Sequence, residues 1–481
     1  MSKGFGIHGS TTSHGGTVMS TQSRSSQMGN LFLRAGDGFA CPKCKTWSTL
    51  IKSNDHVIFD GKAVAYVGDK FTCGATLMPR QTHAVGNSGS YYGASSPIFQ
   101  PINSHQNLTN NFLENDKYAI ELEDILVKKF VPLGAPSSDG QQSVKELSFL
   151  VKVKTGYFEA ISLEVYSEGS FIEVKRINQL FSTGSNIKVN WDGFINEIYQ
   201  SKVFIKDSGL KFRIKGFNGG SVLAIDEKTF KFKYCNKDWM DVYISKKTKK
   251  IYITIRVNFV DGGASGLHNS HLVPNDVIQR KRTKPFTKAT INFPQLLKLA
   301  NDGIKYYWGR NQTHPTGKNI LLNGETYEVF IKPVLSTTQA MPEMKLTFIT
   351  NVNPDDLMFR SSNSVLSRKT AYRTGYLKLD SGWTFYETDL SNNKFKETIA
   401  HETGHAIVEA YAGFNESVTH HGSSEYSQTP KAGTKYPRSG EIDLMKYAAE
   451  SLVNIPDGYT RMVANEQDVK GLLILSGISK K

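Results

Sequence analysis

The sequence predicts a multidomain chain with a small β-structured N-terminal domain, a central β-sandwich and a C-terminal α/β (α+β) domain. Three observations carry this. The segment Gly36-Asp37-Gly-Phe39-Ala-Cys41 recurs 32 residues later as Gly68-Asp69-Lys-Phe71-Thr-Cys73. Between residues 117 and 262, short runs alternate apolar and polar side chains, the period of a strand with one buried face. Near the C-terminus, His401-Glu402-Thr403-Gly404-His405 lies in a stretch of helical character. At 481 residues the chain exceeds what one hydrophobic core accommodates, so about three domains are expected.

Composition narrows the function classes. The net charge of +14 favours anionic surfaces. The basic clusters around Lys246–Lys250 and Arg280–Lys284 carry no interleaved aromatics, so no stable nucleic-acid binding is expected. No apolar run is long enough for a membrane span, and the first residues lack the apolar core of a signal peptide. Export is therefore expected to use no cleaved signal. Three of the four cysteines fall within residues 41 to 73, a clustering that suits a metal site in a reducing cytoplasm better than a disulfide framework.

Residues 1–85 form the first expected domain. A weaker third copy of the repeat lies upstream as Gly9-Ser10-Thr-Thr-Ser-His14, and each copy ends on a zinc-ligand residue type. Repeats this short bury no core alone and must pack about a common axis. That arrangement brings His14, Cys41 and Cys73 together, and Cys44 at C-x-x-C spacing completes a tetrahedral structural zinc site. His56 and His83 are substitutes, and three buried free thiols are the alternative. Thr12-Ser13-His14-Gly15-Gly16, the two Gly-Asp repeats, Cys41-Pro42 and Thr72-Cys73-Gly74-Ala75 resemble a PAAR-repeat domain. The resemblance implies a zinc-stabilised β cone at the tip of the type VI secretion spike, docked on a trimeric VgrG, with toxin or adaptor domains behind it.

Residues 86–116, rich in Gly, Ser, Asn and Pro, read as a linker. Strands are expected at Leu147–Lys154, Ile161–Tyr166, Leu210–Lys215, Phe230–Tyr234 and Ile251–Phe259, with turn signals such as Asp192-Gly193 and Asn218-Gly219-Gly220 between some of them. These make residues 117–262 a β-sandwich that serves as spacer or interaction domain. Residues 263–285 read as a second linker. In residues 286–481 a helix is expected at Phe293–Trp308, strands at Thr326–Lys332 and Met344–Ile349, and a substrate-pairing edge strand at Thr374–Leu379.

The C-terminal site follows from helical geometry. Residues four apart stand one turn above each other, so His401 and His405 can close on one zinc ion while Glu402 addresses its water. A catalytic zinc takes three protein ligands, and the third must come from downstream. His420 leads, His421 and Glu441 are the alternatives, and Glu416 is also in range. Leu444-Met445-Lys446-Tyr447 is similar to the Met-turn of metzincin peptidases, and Asn465–Leu473 resembles the helix closing their C-terminal subdomain. Val408 and Tyr411 stand where that family has its Gly and third His. The resemblance implies that Tyr447 stabilises the oxyanion of the tetrahedral intermediate. Zinc polarises the carbonyl, and Glu402 takes a proton from the zinc-bound water and returns it to the leaving nitrogen.

The expectation is thus a PAAR-tipped zinc metallopeptidase toxin, with one structural and one catalytic zinc. It is loaded in the producer's cytoplasm, delivered into a target cell, directed at a protein or peptide substrate, and held in check by a cognate immunity protein. The alternative is a structural spike-tip or binding protein with an inactive zincin domain. A nuclease, suggested only by charge, finds no constellation to support it.

Overall fold

In a computed structural model the described residues are 2–22, 26–27, 30–51, 57–59, 62–80, 85–87, 117–126, 129–167, 170–364, 367–419, 430 and 433–481. The chain is multidomain and mostly β with some helices, and falls into two compact units, Met1–Ser104 and His105–Lys481.

The N-terminal unit is built from three equivalent turns. Ile7-His8-Gly9-Ser10, Arg34-Ala35-Gly36-Asp37 and Tyr66-Val67-Gly68-Asp69 each close with a backbone bond from the fourth residue to the first, at 2.9, 3.0 and 3.0 Å. Glycine holds the third position because φ is +79°, +89° and +90° there, a region open to Gly at no steric cost. In each turn the first residue's N–H donates to the side chain of Ser10, Asp37 or Asp69. The weak first copy is therefore a true repeat, with Ser10 replacing the carboxylate.

A closed ring of bonds joins the three copies. Gly6 N–H donates to Ala65 O, Ala65 N–H to Leu33 O, and Leu33 N–H to Gly6 O, at 2.8 to 2.9 Å. Val18, Leu33, Phe39, Leu50, Phe71 and Leu77 form a small core, with Phe39 and Phe71 edge to face at 4.8 Å. The linker expected at 86–116 lies outside the described residues except for Gly86 and Asn87. Those two belong to a strand, Val85–Asn87, paired with Ser2–Gly4.

The second unit begins with two antiparallel sheets. One has the order Asn186–Trp191, Leu147–Thr155, Ala119–Ile125; the other runs Ser170–Ser182, Tyr157–Ser167, Leu210–Asn218, Ser221–Phe230. Buried aromatics bridge them, Phe149 meeting Phe212 at 4.7 Å and Trp191 meeting Phe212 at 5.7 Å.

The boundary expected at residues 263–285 is not where the chain divides. Lys250–Val257 pairs in parallel with Glu325–Leu335, so a single five-stranded sheet draws strands from both sides of it. Residues in that stretch are ordered as Leu267–Leu272, a 3-10 helix, and Asn275–Lys281, an α-helix. One continuous core runs from Ile120 to Ile478, where Ile478–Lys480 pairs with Phe232–Tyr234.

A second sheet supports the site. Phe259–Ser265, Met344–Ile349 and Arg368–Arg373 run parallel, and Ser362–Asn363 adds antiparallel at the edge. Two helices pack together on this framework. Phe293–Trp308 starts in a capping box, with Asn292 and Gln295 bonding reciprocally, and Pro294 occupies the first turn, where no backbone N–H is required. Its Gly303 lies against the backbone of Lys396, which lets Thr388–Ala412 approach closely. Thr388–Ala412 buries Phe395, Ile399, Ile407 and Val408, and ends at Gly413, where φ is +103°.

Candidate functional site

His401, Glu402 and His405 sit in the second half of helix Thr388–Ala412, with His401 and Glu402 buried. The imidazole rings are 4.9 Å apart, as residues one helical turn apart must be. His401 Nδ1–H donates to Leu444 O at 2.8 Å, and His405 Nδ1–H donates to Ser417 O at 3.1 Å. Both bonds fix the tautomer in which Nε2 carries the lone pair, the form that ligates a metal.

Leu444 and Met445 pass beneath the helix. Trp308 Nε1–H donates to Ala400 O at 3.0 Å from the same side. The turn is held by Met445 N–H on Asp443 Oδ1 at 2.9 Å and by Leu444 N–H on Val463 O at 3.0 Å. Tyr447 then stacks on His401, ring centroids 5.2 Å apart and planes 16° from parallel.

These groups open into a cleft of ≈ 820 Å³. The helix Thr388–Ala412 forms its floor through Glu397, His401, Glu402 and His405, and Ser361–Ser364 with Arg368 and Arg373 form a wall. Asn363 Nδ2 donates to the Glu402 carbonyl, tying that wall to the floor. Burial, and then the neighbouring Glu397, push the Glu402 carboxyl up to about 8. Burial also raises Glu397 and the Tyr447 phenol, so the cleft resists uncompensated negative charge.

Several expected residues stand elsewhere. Glu441 is not at the cleft; its carboxylate is held bidentately by Arg310 at 2.6 and 2.9 Å. Glu416 is exposed and does not line the cleft. His420 and His421 lie outside the described residues. Gly375–Leu379 pairs with Gly382–Tyr386 in a hairpin that does not line the cleft, whereas strands Ser362–Asn363 and Arg368–Arg373 both do. Tyr411 donates to Asp468 Oδ1 at 2.5 Å and packs on Gly471, which holds helix Glu466–Leu475 against the site helix. Sequence reading missed Glu397, although its place four residues before His401 puts it on the same helix face.

The N-terminal unit carries its own site. His14, Cys41, Cys44 and Cys73 bring their ligand atoms within 4.8 Å of one another, the one such group among the described residues. His14 Nδ1 lies 3.7, 3.6 and 3.9 Å from the sulfurs of Cys41, Cys44 and Cys73. Tetrahedral zinc with bonds of about 2.0 to 2.3 Å spaces its ligands about 3.6 Å apart, so the donor set fits one metal ion. Cys44 N–H points at Cys41 Sγ at 3.4 Å, curling Cys41-Pro42-Lys43-Cys44 around the site. A hydrogen bond from Ser48 holds the Cys73 thiol down at about 6, whereas Cys41 pushes Cys44 up. His56 and His83, the substitutes, lie outside the described residues.

Residues 8–79 match the PAAR motif family model. The N-terminal unit carries a PAAR motif. This supports a type VI secretion spike-tip protein, and the PAAR motif suggests binding to a VgrG spike. No described helix is long and apolar enough to cross a membrane. No curated protein matches the chain. Among solved structures, similarity is recorded to a β-glucuronidase from Ruminococcus gnavus at 8% identity, covering 31% of this chain and 19% of that one, with a TM-score of 0.13. A calcium-binding mutant of Bacteroides uniformis β-glucuronidase 2 matches at 7% identity, covering 63% of this chain and 27% of that one, also at 0.13. The PAAR-containing chain thus spans well under half the length of either.

Proposed function

We propose that the chain is a type VI secretion effector whose PAAR motif delivers a zinc metallopeptidase, and that this peptidase hydrolyses peptide bonds in target bacteria. The observation that carries the reading is the pair His401 and His405, each with Nδ1 committed to a carbonyl, beside a buried Glu402 at the floor of an open cleft. His401 and His405 would hold zinc, which when bound supplies Lewis acidity and an acidified water. Glu402 would accept the water's proton and pass it to the leaving nitrogen, and Tyr447 would donate to the developing oxyanion. His420 is the proposed third ligand. Ser417 and Val418, just before it in sequence, already line the cleft. A cognate immunity protein in the producer and a target-cell destination belong to this proposal.

The competing reading is a spike-tip or binding protein with an inactive domain. Elemental analysis of the full chain separates the two, run beside Glu402→Gln and the double change His401→Ala, His405→Ala. Two zinc ions per chain, two in Glu402→Gln and one in the double variant are expected, with peptide hydrolysis lost in both variants. One zinc throughout, or equal hydrolysis by wild type and Glu402→Gln, would overturn the proposal.

A further inference from the structure

The walls of the cleft carry its cations and its floor carries its carboxyl groups. Among the described residues, every carboxylate lining it, Glu397, Glu402 and Glu409, belongs to helix Thr388–Ala412. Among the same residues, every cation lining it comes from elsewhere: Lys237, Arg360, Arg368 and Arg373. None of these four is in an ion pair among the described residues, although the chain pairs many of its other cations, among them Arg213, Arg256 and Arg310. Arg373 is half-buried, at the end of strand Arg368–Arg373. Its Nη2 donates to Pro354 O at 3.2 Å, and its Nε–H, enclosed by protein, has no hydrogen-bond partner. A buried guanidinium donor without an acceptor is costly unless something else completes it. Arg360, by contrast, is exposed at the rim.

We infer that the cleft takes a peptide bearing a carboxylate close to the scissile bond, positioned by Arg373 and Arg360. The inference rests on the peptidase reading of this cleft and names the class of its substrate. A planar guanidinium matches a carboxylate in two parallel bonds, and in a partly enclosed cleft such a pair is screened little by solvent. The guanidinium groups draw that carboxylate to the sheet wall, so the substrate is oriented across the cleft with its anionic group toward the wall and its carbonyl toward His401 and His405. The carboxylate has two sources, an acidic side chain or a free C-terminus.

The test uses the full zinc-loaded chain and a panel of short peptides with acidic, neutral or basic side chains, each with a free or amidated C-terminus. Acidic peptides cleaved best whatever their C-terminus point to the side chain; a preference that vanishes on amidation points to the C-terminal carboxylate. In either case Arg360→Gln and Arg373→Gln are expected to lower the ratio of kcat/KM for anionic over neutral peptides roughly 10-fold to 100-fold. Because Arg373→Gln removes a half-buried group, Arg360→Gln at the rim keeps the test independent of folding. Equal cleavage of all peptides, or preference for basic ones, overturns the inference and leaves the peptidase reading standing. Calorimetric binding of the same peptides to Glu402→Gln separates the opposite case. Anionic peptides that bind through Arg360 and Arg373 but are never cleaved by wild type would sink the peptidase reading and retain the anion-binding cleft.

Discussion

Met445 lies directly beneath Gly404, so close that a Cβ on that glycine would run into its Sδ and come within 3.0 Å of Trp308 Cζ2. The glycine between the two histidines is a packing requirement imposed by the turn below. Alanine would gain about 1 kcal/mol of helix propensity, but overpacking a buried contact typically costs about 1–3 kcal/mol. Gly404→Ala is expected to be net destabilising in urea unfolding. Combined with Met445→Ala, the total loss should be smaller than the sum of the two single losses, since the two changes share one contact.

Glu441→Gln separates ion pairing from metal binding. Arg310 is almost fully buried, and besides Glu441 it donates to Ala464 O and Asn319 O at 2.8 and 2.9 Å. Removing the carboxylate leaves its charge partly uncompensated, at a cost of about 1–3 kcal/mol given the exposure of Glu441. Stability should fall while the zinc content is unchanged. Loss of one zinc from this variant would return Glu441 to the ligand set.

The N-terminal unit should depend on its metal. Its core is small, and His14, Cys41 and Cys73 arrive from three different repeats that zinc would cross-link. Treatment with a strong chelator, or Cys73→Ala, is expected to lower its thermal transition by several degrees at least, with the second unit unaffected. Cys44→Ser should weaken zinc retention. An unchanged transition without zinc would mean that the core alone suffices.

His314 predicts a pH dependence. It is buried, its Nε2–H donates to Met462 O at 3.1 Å, and its Nδ1 accepts from Gly317 N–H at 2.8 Å, a bond that needs the neutral ring. Burial, with Arg310 nearby, holds its pKa below 6.5. Below about pH 6.5 the unfolded chain takes up a proton that the folded ring refuses. Its contribution is therefore complete above that pH and is lost as pH falls toward the folded value. In urea titrations His314→Gln should lower stability at pH 8 and flatten the slope below about pH 6.5.

Legibility in the sequence followed the range of the interaction. The turns at Gly36-Asp37 and Gly68-Asp69 and the i, i+4 histidines are local, and each leaves its full pattern within a few residues. The runs at Leu147–Lys154, Ile161–Tyr166 and Leu210–Lys215 lie within strands for the same reason, whereas Phe230–Tyr234 and Ile251–Phe259 each break between two strands of different sheets. Pairing of Lys250–Val257 with Glu325–Leu335 leaves no local mark, so the unity of the second core was hidden. Ser362–Asn363 is two residues long, too short to show a period, although it borders the cleft. The bond between Arg310 and Glu441 likewise spans sequence too distant for spacing to reveal, and left Glu441 looking like a ligand.

The ring formed by Gly6, Ala65 and Leu33 has a mechanical consequence. Its three bonds run around the axis and are equivalent, so a load pressed along that axis is shared in shear by all three at once. None of them can be peeled ahead of the others. A hairpin at the same place would present its bonds one after another and fail at the first.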